Sequence, residues 1–144
     1  MEQRKLGLIG LGAIGQIYAG HLLKANSTLV VFDAVAEKMQ QVAAQGATPA
    51  ASAKHLASQC DFVILSLPSP DAVHAALLGP QGVLAGAQPG LTIIDASTID
   101  PDTCRRLYAA ARSVCSPSSR VRKSEPTPEY NVRESKAYRW GISS

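Results

Sequence analysis

Aromatic side chains make up only 5% of this sequence, and its three cysteines, Cys60, Cys104 and Cys115, stand far apart with no C-x-x-C spacing. No histidine lies at ligand spacing from them, so a zinc site has no support. An odd, scattered cysteine set without a leader-like segment fits a reducing compartment. Long apolar runs are missing as well: Leu6–Leu11, the first, is too short for a secretory leader or a membrane span. Cytoplasm, or a matrix-like compartment, is the expected location, with no membrane partner. The body of the chain also lacks charge of one sign. Through Cys115 there are eight basic and eight acidic residues, so the formal net charge of +3 comes entirely from the segment beyond. A basic surface to track a phosphate backbone is absent, which argues against a nucleic-acid partner.

What is present is Ala, Val, Leu and Ile: 46% of the chain is hydrophobic and 17% charged. That mix suits buried parallel strands covered by helices. A chain of 144 residues has room for one domain of ordinary size, and it buries enough apolar surface to fold without disulfides or metals.

Short apolar runs alternate with helix-like segments over the first two-thirds, the pattern of βαβ units. Strands are expected at Leu6–Ile9, Thr28–Phe32, Ala47–Pro49, Phe62–Leu65 and Leu91–Ile94. Thr28–Phe32 is apolar or β-branched throughout and reads as buried on both faces. Helices are expected at Ala13–Ala25, Val35–Gln45, Ala53–Gln59, Asp71–Leu78 and Asp102–Arg112. In the first, Ile14, Ile17, Tyr18, His21, Leu22 and Ala25 recur at helical spacing. Asn26 suits its C-terminus, and Gly46 ends the second helix. Ser52 is placed to cap the helix at Ala53, and Asp100 the one that Pro101 starts. After Ser113, Ser, Pro and charges scatter without period. Composition there predicts disorder or loose packing. The fold class is thus α/β, Rossmann-type and doubly wound with a mainly parallel sheet, over residues 1–113. Residues 114–144 form an irregular tail, read as disordered or as a frame-altered or alternative terminus. Its rival reading is a basic arm that binds a partner.

The chemistry lies in the first strand–turn–helix. Gly10, Leu11, Gly12, Ala13, Ile14 and Gly15 spell G-x-G-x-x-G between a strand and a helix, with Asp33 eighteen positions on at the end of the second strand. Gly10 permits the tight turn, Gly12 lets a pyrophosphate approach the backbone, and Gly15 lets helix and strand pack closely. The helix start offers N–H groups and a partial positive charge to phosphate. Asp33 is placed to accept hydrogen bonds from the adenosine ribose. No Arg stands at 34 or 35 to neutralise a 2′-phosphate, so NAD is favoured over NADP.

Three stretches in order, Gly7–Gly15, Cys60–Pro68 and Ile94–Pro101, resemble the β-hydroxyacid dehydrogenase family. That family includes 3-hydroxyisobutyrate dehydrogenase and, more distantly, 6-phosphogluconate dehydrogenase. The resemblance covers about Leu6 to Ser113. It implies that Leu67 and Pro68 line the adenosine-ribose and diphosphate side of the cofactor, and that Thr98 contacts the nicotinamide half. On chain chemistry alone, the alternative for Leu67 and Pro68 is a simple strand stop, and for Ser97 and Thr98 capping of the helix begun by Pro101. Ile14 stands where the family commonly has Met, His21 where it has Asn, and Ala72 where a polar residue is usual.

The family also implies a catalytic lysine on a long helix leading into a second, all-helical domain, and a Ser-Gly-Gly loop for the substrate carboxylate. No Gly-Gly pair occurs in this sequence, and Lys123 and Lys136 lack the expected context. No residue is therefore assigned to catalysis, and the substrate site is expected to be largely missing. The function expected is the NAD-binding domain of an oxidoreductase that passes hydride between NAD and a small β-hydroxyacid. The alternatives are a non-catalytic NAD-binding regulatory or sensor module and a structural protein with a vestigial fold.

Overall fold

In the computed structural model of the chain, residues 4–25, 27–88, 90–97, 100–114, 120–123 and 138–143 are described. Strand β1 (Lys5–Ile9) leads through the glycine turn into α1 (Ala13–Lys24), followed by β2 (Thr28–Phe32) and α2 (Ala36–Ala43). Then come β3 (Thr48–Pro49), α3 (Ala53–Gln59), β4 (Phe62–Leu65), α4 (Pro70–Leu78), α5 (Val83–Gly86), β5 (Thr92–Asp95) and α6 (Pro101–Val114). Two further strands, β6 (Arg120–Lys123) and β7 (Tyr138–Ser143), complete the sheet.

The sheet runs β3-β2-β1-β4-β5-β7-β6, and its first five strands are parallel. The central β1 pairs on both sides, Leu8 standing opposite Val31 of β2 and Ile64 of β4. Successive residues of a strand point to opposite faces, and here both faces are covered. Ile9, Val30, Val63, Leu65 and Ile93 share a core with Leu56 of α3, Val73 and Leu77 of α4, Val83 of α5 and Leu107 of α6. Leu8, Leu29 and Val31 point the other way, onto Ala19 of α1 and Val42 of α2. This two-sided burial is why the parallel strands read as unbroken apolar runs rather than alternating ones.

Several local expectations hold. The Oγ of Ser52 accepts the His55 N–H at 3.0 Å, and Asp100 Oδ1 accepts the Thr103 N–H at 2.9 Å. Gly46 adopts φ +115° where α2 has ended, a conformation that favours glycine. Asn26 lies outside the described residues.

Two expectations are corrected. The apolar spacing of α1 suggests that Ile14 and Ile17 face the core, yet they are 58% and 57% exposed. The buried residues of α1 are Gly15 and Ala19. The start of the helix is held so close to the sheet that only small side chains fit at the contact, so Ile14 and Ile17 turn outward. Tyr18, Leu22 and Leu23 further along pack partly buried against the core. The second correction concerns the segment after Ser113, where composition predicts no regular structure. There α6 continues to Val114, β7 pairs antiparallel with β5, and β6 pairs antiparallel with β7. Tyr138, Trp140 and Ile142 alternate with Arg139, Gly141 and Ser143 in the sequence. That is a period-two strand signal in β-favouring residues, outweighed in the composition by the surrounding Ser, Pro and charge.

Candidate functional site

In an open parallel sheet, ligands bind beyond the carboxyl ends of the strands, where the strand order reverses. Here the chain winds from β1 outward to β2 and β3, then returns to place β4 on the other side of β1. The crevice therefore lies between the exits of β1 and β4. Gly10, Asp33, Ser66–Pro68 and Ala96–Ser97 all follow strand ends at that edge.

The glycine turn is shaped by close backbone approach. Gly10 has φ +97°, and its N–H donates to the Phe32 carbonyl at 3.0 Å. A Cβ at Gly10 would run into the Ser66 carbonyl oxygen, and one at Gly15 into the Gly10 carbonyl oxygen. The three backbones interlock, so both positions require glycine on steric grounds alone. Gly12 differs: a Cβ there would meet nothing within 4 Å. It projects into open space at the N-terminus of α1, where nothing in the protein itself demands a glycine.

Helix capping sharpens the contrast. The side-chain oxygens of Ser52, Ser69 and Asp100 accept N–H groups of the first turns of α3, α4 and α6. Gly12 caps α1 with no side chain at all, and Val35 and Gly82 likewise begin α2 and α5 without a side-chain bond. The first-turn N–H groups of a helix lack intrahelical partners, and with the helix dipole they favour an anion. Asp71 and Asp102 lie in the first turns of α4 and α6, whereas the first turn of α1 holds no acidic residue. Two features, open space and an uncapped helix start, thus coincide at Gly12 and Ala13. Ile14 lies exposed beside them.

Asp33 braces the turn from the side. Its Oδ2 accepts the Leu11 N–H at 2.8 Å, and its Oδ1 accepts the Val35 N–H at 2.8 Å. Leu11 is fully buried, and its carbonyl accepts the Gln16 side-chain amide at 3.1 Å. Gln16 and this bracing were not foreseen from sequence. A carboxylate offers about four lone-pair sites, so two bonds leave acceptor capacity for hydroxyls.

On the far side, Ser66 N–H donates to the Ile9 carbonyl at 2.9 Å and Ala96 N–H to the Leu65 carbonyl at 2.8 Å. The ladders thus continue one rung past the strands. Leu67 is half-buried against the core, while Pro68 is exposed at the rim. The Leu67 N–H donates to Ser97 Oγ at 2.9 Å, and the Ser97 N–H donates to Asp95 Oδ1 at 2.8 Å. Ser97 therefore bridges two loops instead of capping α6, a task that falls to Asp100. The Asp95-Ala-Ser97 spacing, an aspartate two residues before an N–H it can accept, was the available signal. Thr98 lies outside the described residues. Among the described residues no group of His, Cys, Asp and Glu is arranged to hold a metal, and no helix is long and apolar enough to cross a membrane.

The sheet order, the glycine turn and the uncapped helix above it define a Rossmann-type dinucleotide-binding domain. Residues 5–115 match the family model of the NAD binding domain of 6-phosphogluconate dehydrogenase, and the chain belongs to that family. It is 38% identical over 109 residues to the NAD-dependent L-serine dehydrogenase of Pseudomonas aeruginosa, matching 76% of this chain and 37% of that protein. It is also 38% identical over 108 residues to the cytokine-like nuclear factor N-PAC of Xenopus tropicalis, matching 72% of this chain and 20% of that protein. Among solved structures, the 3-hydroxyisobutyrate dehydrogenase of Mycobacterium tuberculosis, with L-serine, aligns with a TM-score of 0.71 at 27% identity. The match covers 86% of this chain and 42% of that one. Psf3 in complex with NADP+ and 2-OPP aligns with a TM-score of 0.70 at 28% identity, over 83% of this chain and 43% of that one. The resemblance read from the three sequence stretches is borne out, and the domain is an NAD(P)-binding one. The chain spans about a fifth to two-fifths of the length of the curated relatives it matches.

Proposed function

We propose that this chain binds NAD across the β1–β4 crevice, as the cofactor-holding part of an oxidoreductase acting on a small β-hydroxyacid. The observation that carries the reading is the coincidence at Gly12: an uncapped helix start facing open space, in a fold whose α3, α4 and α6 are capped by side chains. Gly10, Leu11, Gly12, Ala13, Ile14 and Gly15 would form the pyrophosphate cradle. Asp33 would take the adenosine ribose hydroxyls on its remaining lone pairs. Leu67 and Pro68 would line the crevice on the adenosine-ribose and diphosphate side, and Thr98 would meet the nicotinamide half. When bound, the nicotinamide supplies a hydride acceptor or donor; the chain's own residues hold and orient it.

Asp33 supports NAD over NADP. Its carboxylate already faces the Val35 N–H, and neither Ala34 nor Val35 brings a cation. A 2′-phosphate placed there meets like charge, and at 4 Å with an effective dielectric near 20 that repulsion is about 4 kcal/mol before screening. Calorimetric titration with NAD and NADP tests the reading. NAD is expected to bind at least about tenfold tighter, a difference of about 1.4 kcal/mol. Binding of neither would remove the cofactor assignment, and tighter NADP binding would remove the role of Asp33.

No residue of this chain is assigned to catalysis, so turnover by residues 1–144 alone is not expected. A dinucleotide-binding module without chemistry of its own is the second reading, favoured by the absence of any Gly-Gly pair for a substrate loop. NAD-dependent oxidation of 3-hydroxyisobutyrate or L-serine by the purified chain would overturn both the second reading and the expected lack of turnover.

A further inference from the structure

We propose that Ser97 is a positioning residue that locks the β4 and β5 exits together, fixing the wall of the crevice for the nicotinamide side of the dinucleotide while leaving the adenylate side untouched. The inference rests on the NAD-binding reading and extends it to a residue so far without a role.

The hydrogen-bond ladder leads to it. On β4, Leu65 faces β5 and its carbonyl accepts the Ala96 N–H at 2.8 Å. Alternate residues of a strand bond to the same neighbour, so the next donor toward β5 is the Leu67 N–H. Beyond Ala96, however, the partner found is not the next backbone carbonyl but the side-chain hydroxyl of Ser97 at 2.9 Å. Ser97 is itself held by its N–H on Asp95 Oδ1 at 2.8 Å, and Asp95 is only 2% exposed. The hydroxyl thus acts as one more rung between the two exits. Pro68, the next residue, has no N–H and cannot supply a substitute. Without Ser97 Oγ, the segment from Leu67 into the first turn of α4 loses its tie to the β5 exit.

Sheet order determines which part of a ligand would sense this. Asp33 follows β2, the glycine turn follows β1, Leu67 follows β4 and Ser97 follows β5, in the spatial order β2-β1-β4-β5. With the adenosine ribose on Asp33 and the diphosphate over the turn, Leu67, which the family resemblance sets on the adenosine-ribose and diphosphate side, comes by sheet order under the second phosphate and the other ribose. The nicotinamide extends over the β5 exit. AMP reaches only the first half of that path.

The test compares wild type, Ser97→Ala and Ser97→Thr in the full chain, by calorimetric titration with NAD and AMP and by amide hydrogen exchange. Ser97→Ala is expected to weaken NAD binding about five- to tenfold, the loss of one neutral hydrogen bond, with AMP affinity unchanged within about twofold. Ser97→Thr keeps a hydroxyl on Cβ and is expected to restore NAD affinity. Independently of any ligand, exchange at the Leu67 amide should accelerate in Ser97→Ala while Ser66 and Ala96 stay protected. Equal NAD affinity in wild type and Ser97→Ala overturns the proposal while the NAD site stands, as does a parallel fall for NAD and AMP. Unchanged exchange at Leu67 overturns the clamp itself. Failure of wild type to bind NAD would remove the cofactor reading and this proposal with it.

Discussion

Replacing Asp33 tests whether this side chain holds the protein together as well as its ligand. In Asp33→Ala, the Leu11 N–H loses its acceptor at 2.8 Å inside a residue with no solvent exposure. A buried donor left unpaired costs about 1–3 kcal/mol. The Val35 N–H also loses its 2.8 Å partner, but Val35 is 45% exposed and water replaces the carboxylate. The second loss should therefore stay below about 1 kcal/mol, and the sum for Asp33→Ala is about 1–4 kcal/mol. For a urea m-value of about 2 kcal/mol/M, the unfolding midpoint falls by about 0.5–2 M with the slope unchanged. Asp33→Asn keeps one carbonyl oxygen, which can satisfy Leu11 while Val35 turns to water, so its cost should stay below about 1 kcal/mol. The assay is equilibrium urea unfolding without nucleotide, followed by circular dichroism. An Asp33→Ala midpoint within about 0.3 M of wild type would refute the bracing argument. A larger loss in Asn than in Ala would refute the ranking of the two bonds.

Three further outcomes are expected. Gly15→Ala drives a methyl into the Gly10 carbonyl and should destabilise by about 1–3 kcal/mol despite its helix-favouring backbone, whereas Gly12→Ala meets open space and should stay within about 0.5 kcal/mol while losing dinucleotide binding; urea unfolding and calorimetry check both, and the reverse ranking would contradict the packing. The Asp100 carboxyl is held below its ordinary value, first by the hydrogen bond with the Thr103 side chain and then by the Thr103 N–H. Its cap should be fully present above the unfolded-state carboxyl range and lost as pH falls through the depressed folded value, a drop in α6 helicity that Asp100→Ala should lack. Cys60 is buried, and its thiol is pushed up to about 11 by burial and by Asp61, against a smaller opposite pull from Lys5; iodoacetamide at pH 8 should label the folded chain at Cys60 far more slowly than the urea-unfolded chain.

The sheet and its order of elements were legible because each parallel strand is a short apolar run between turn residues. β2 and β4 fall on the expected boundaries, Thr28–Phe32 and Phe62–Leu65. Orientation of α1 was not legible. Periodicity reports which residues share a face, and Ile14 and Ile17 do share one, but only the close approach at Gly15 decides which face meets the sheet. β7 was hidden for another reason: its alternation is only six residues long, and its partner β5 is distant in sequence. At the site, the glycines and Asp33 were legible as a motif because covalent spacing fixes them. The second bond of Asp33, the reach of Gln16 and the bridge made by Ser97 depend on loops brought together by folding, and spacing along one chain does not encode them.

The distribution of backbone donors at the carboxyl edge gives the strongest physical argument for where an anion belongs. Gly10, Leu11, Ser66, Leu67 and Ala96 all have N–H groups satisfied by the protein, through the Phe32 carbonyl, Asp33, the Ile9 carbonyl, Ser97 and the Leu65 carbonyl. Those that cannot find a backbone acceptor are met by a side chain placed for the purpose. Buried donors in native structures are rarely left without partners, and at this edge that economy extends through the loops and into the first turns of α3, α4 and α6. α1, α2 and α5 begin at Gly12, Val35 and Gly82 without a side-chain bond to the first turn. Of the two glycines only Gly12 has open space above it, since a Cβ at Gly82 would meet backbone oxygens. A protein that caps α3, α4 and α6 with Ser or Asp has ready side chains for this position too. Any of them would fill the space over Gly12 and bring oxygen to the N–H groups that a pyrophosphate would use. The bare helix start is therefore best explained by a partner that the chain does not itself supply, and the charge that this partner must carry is negative.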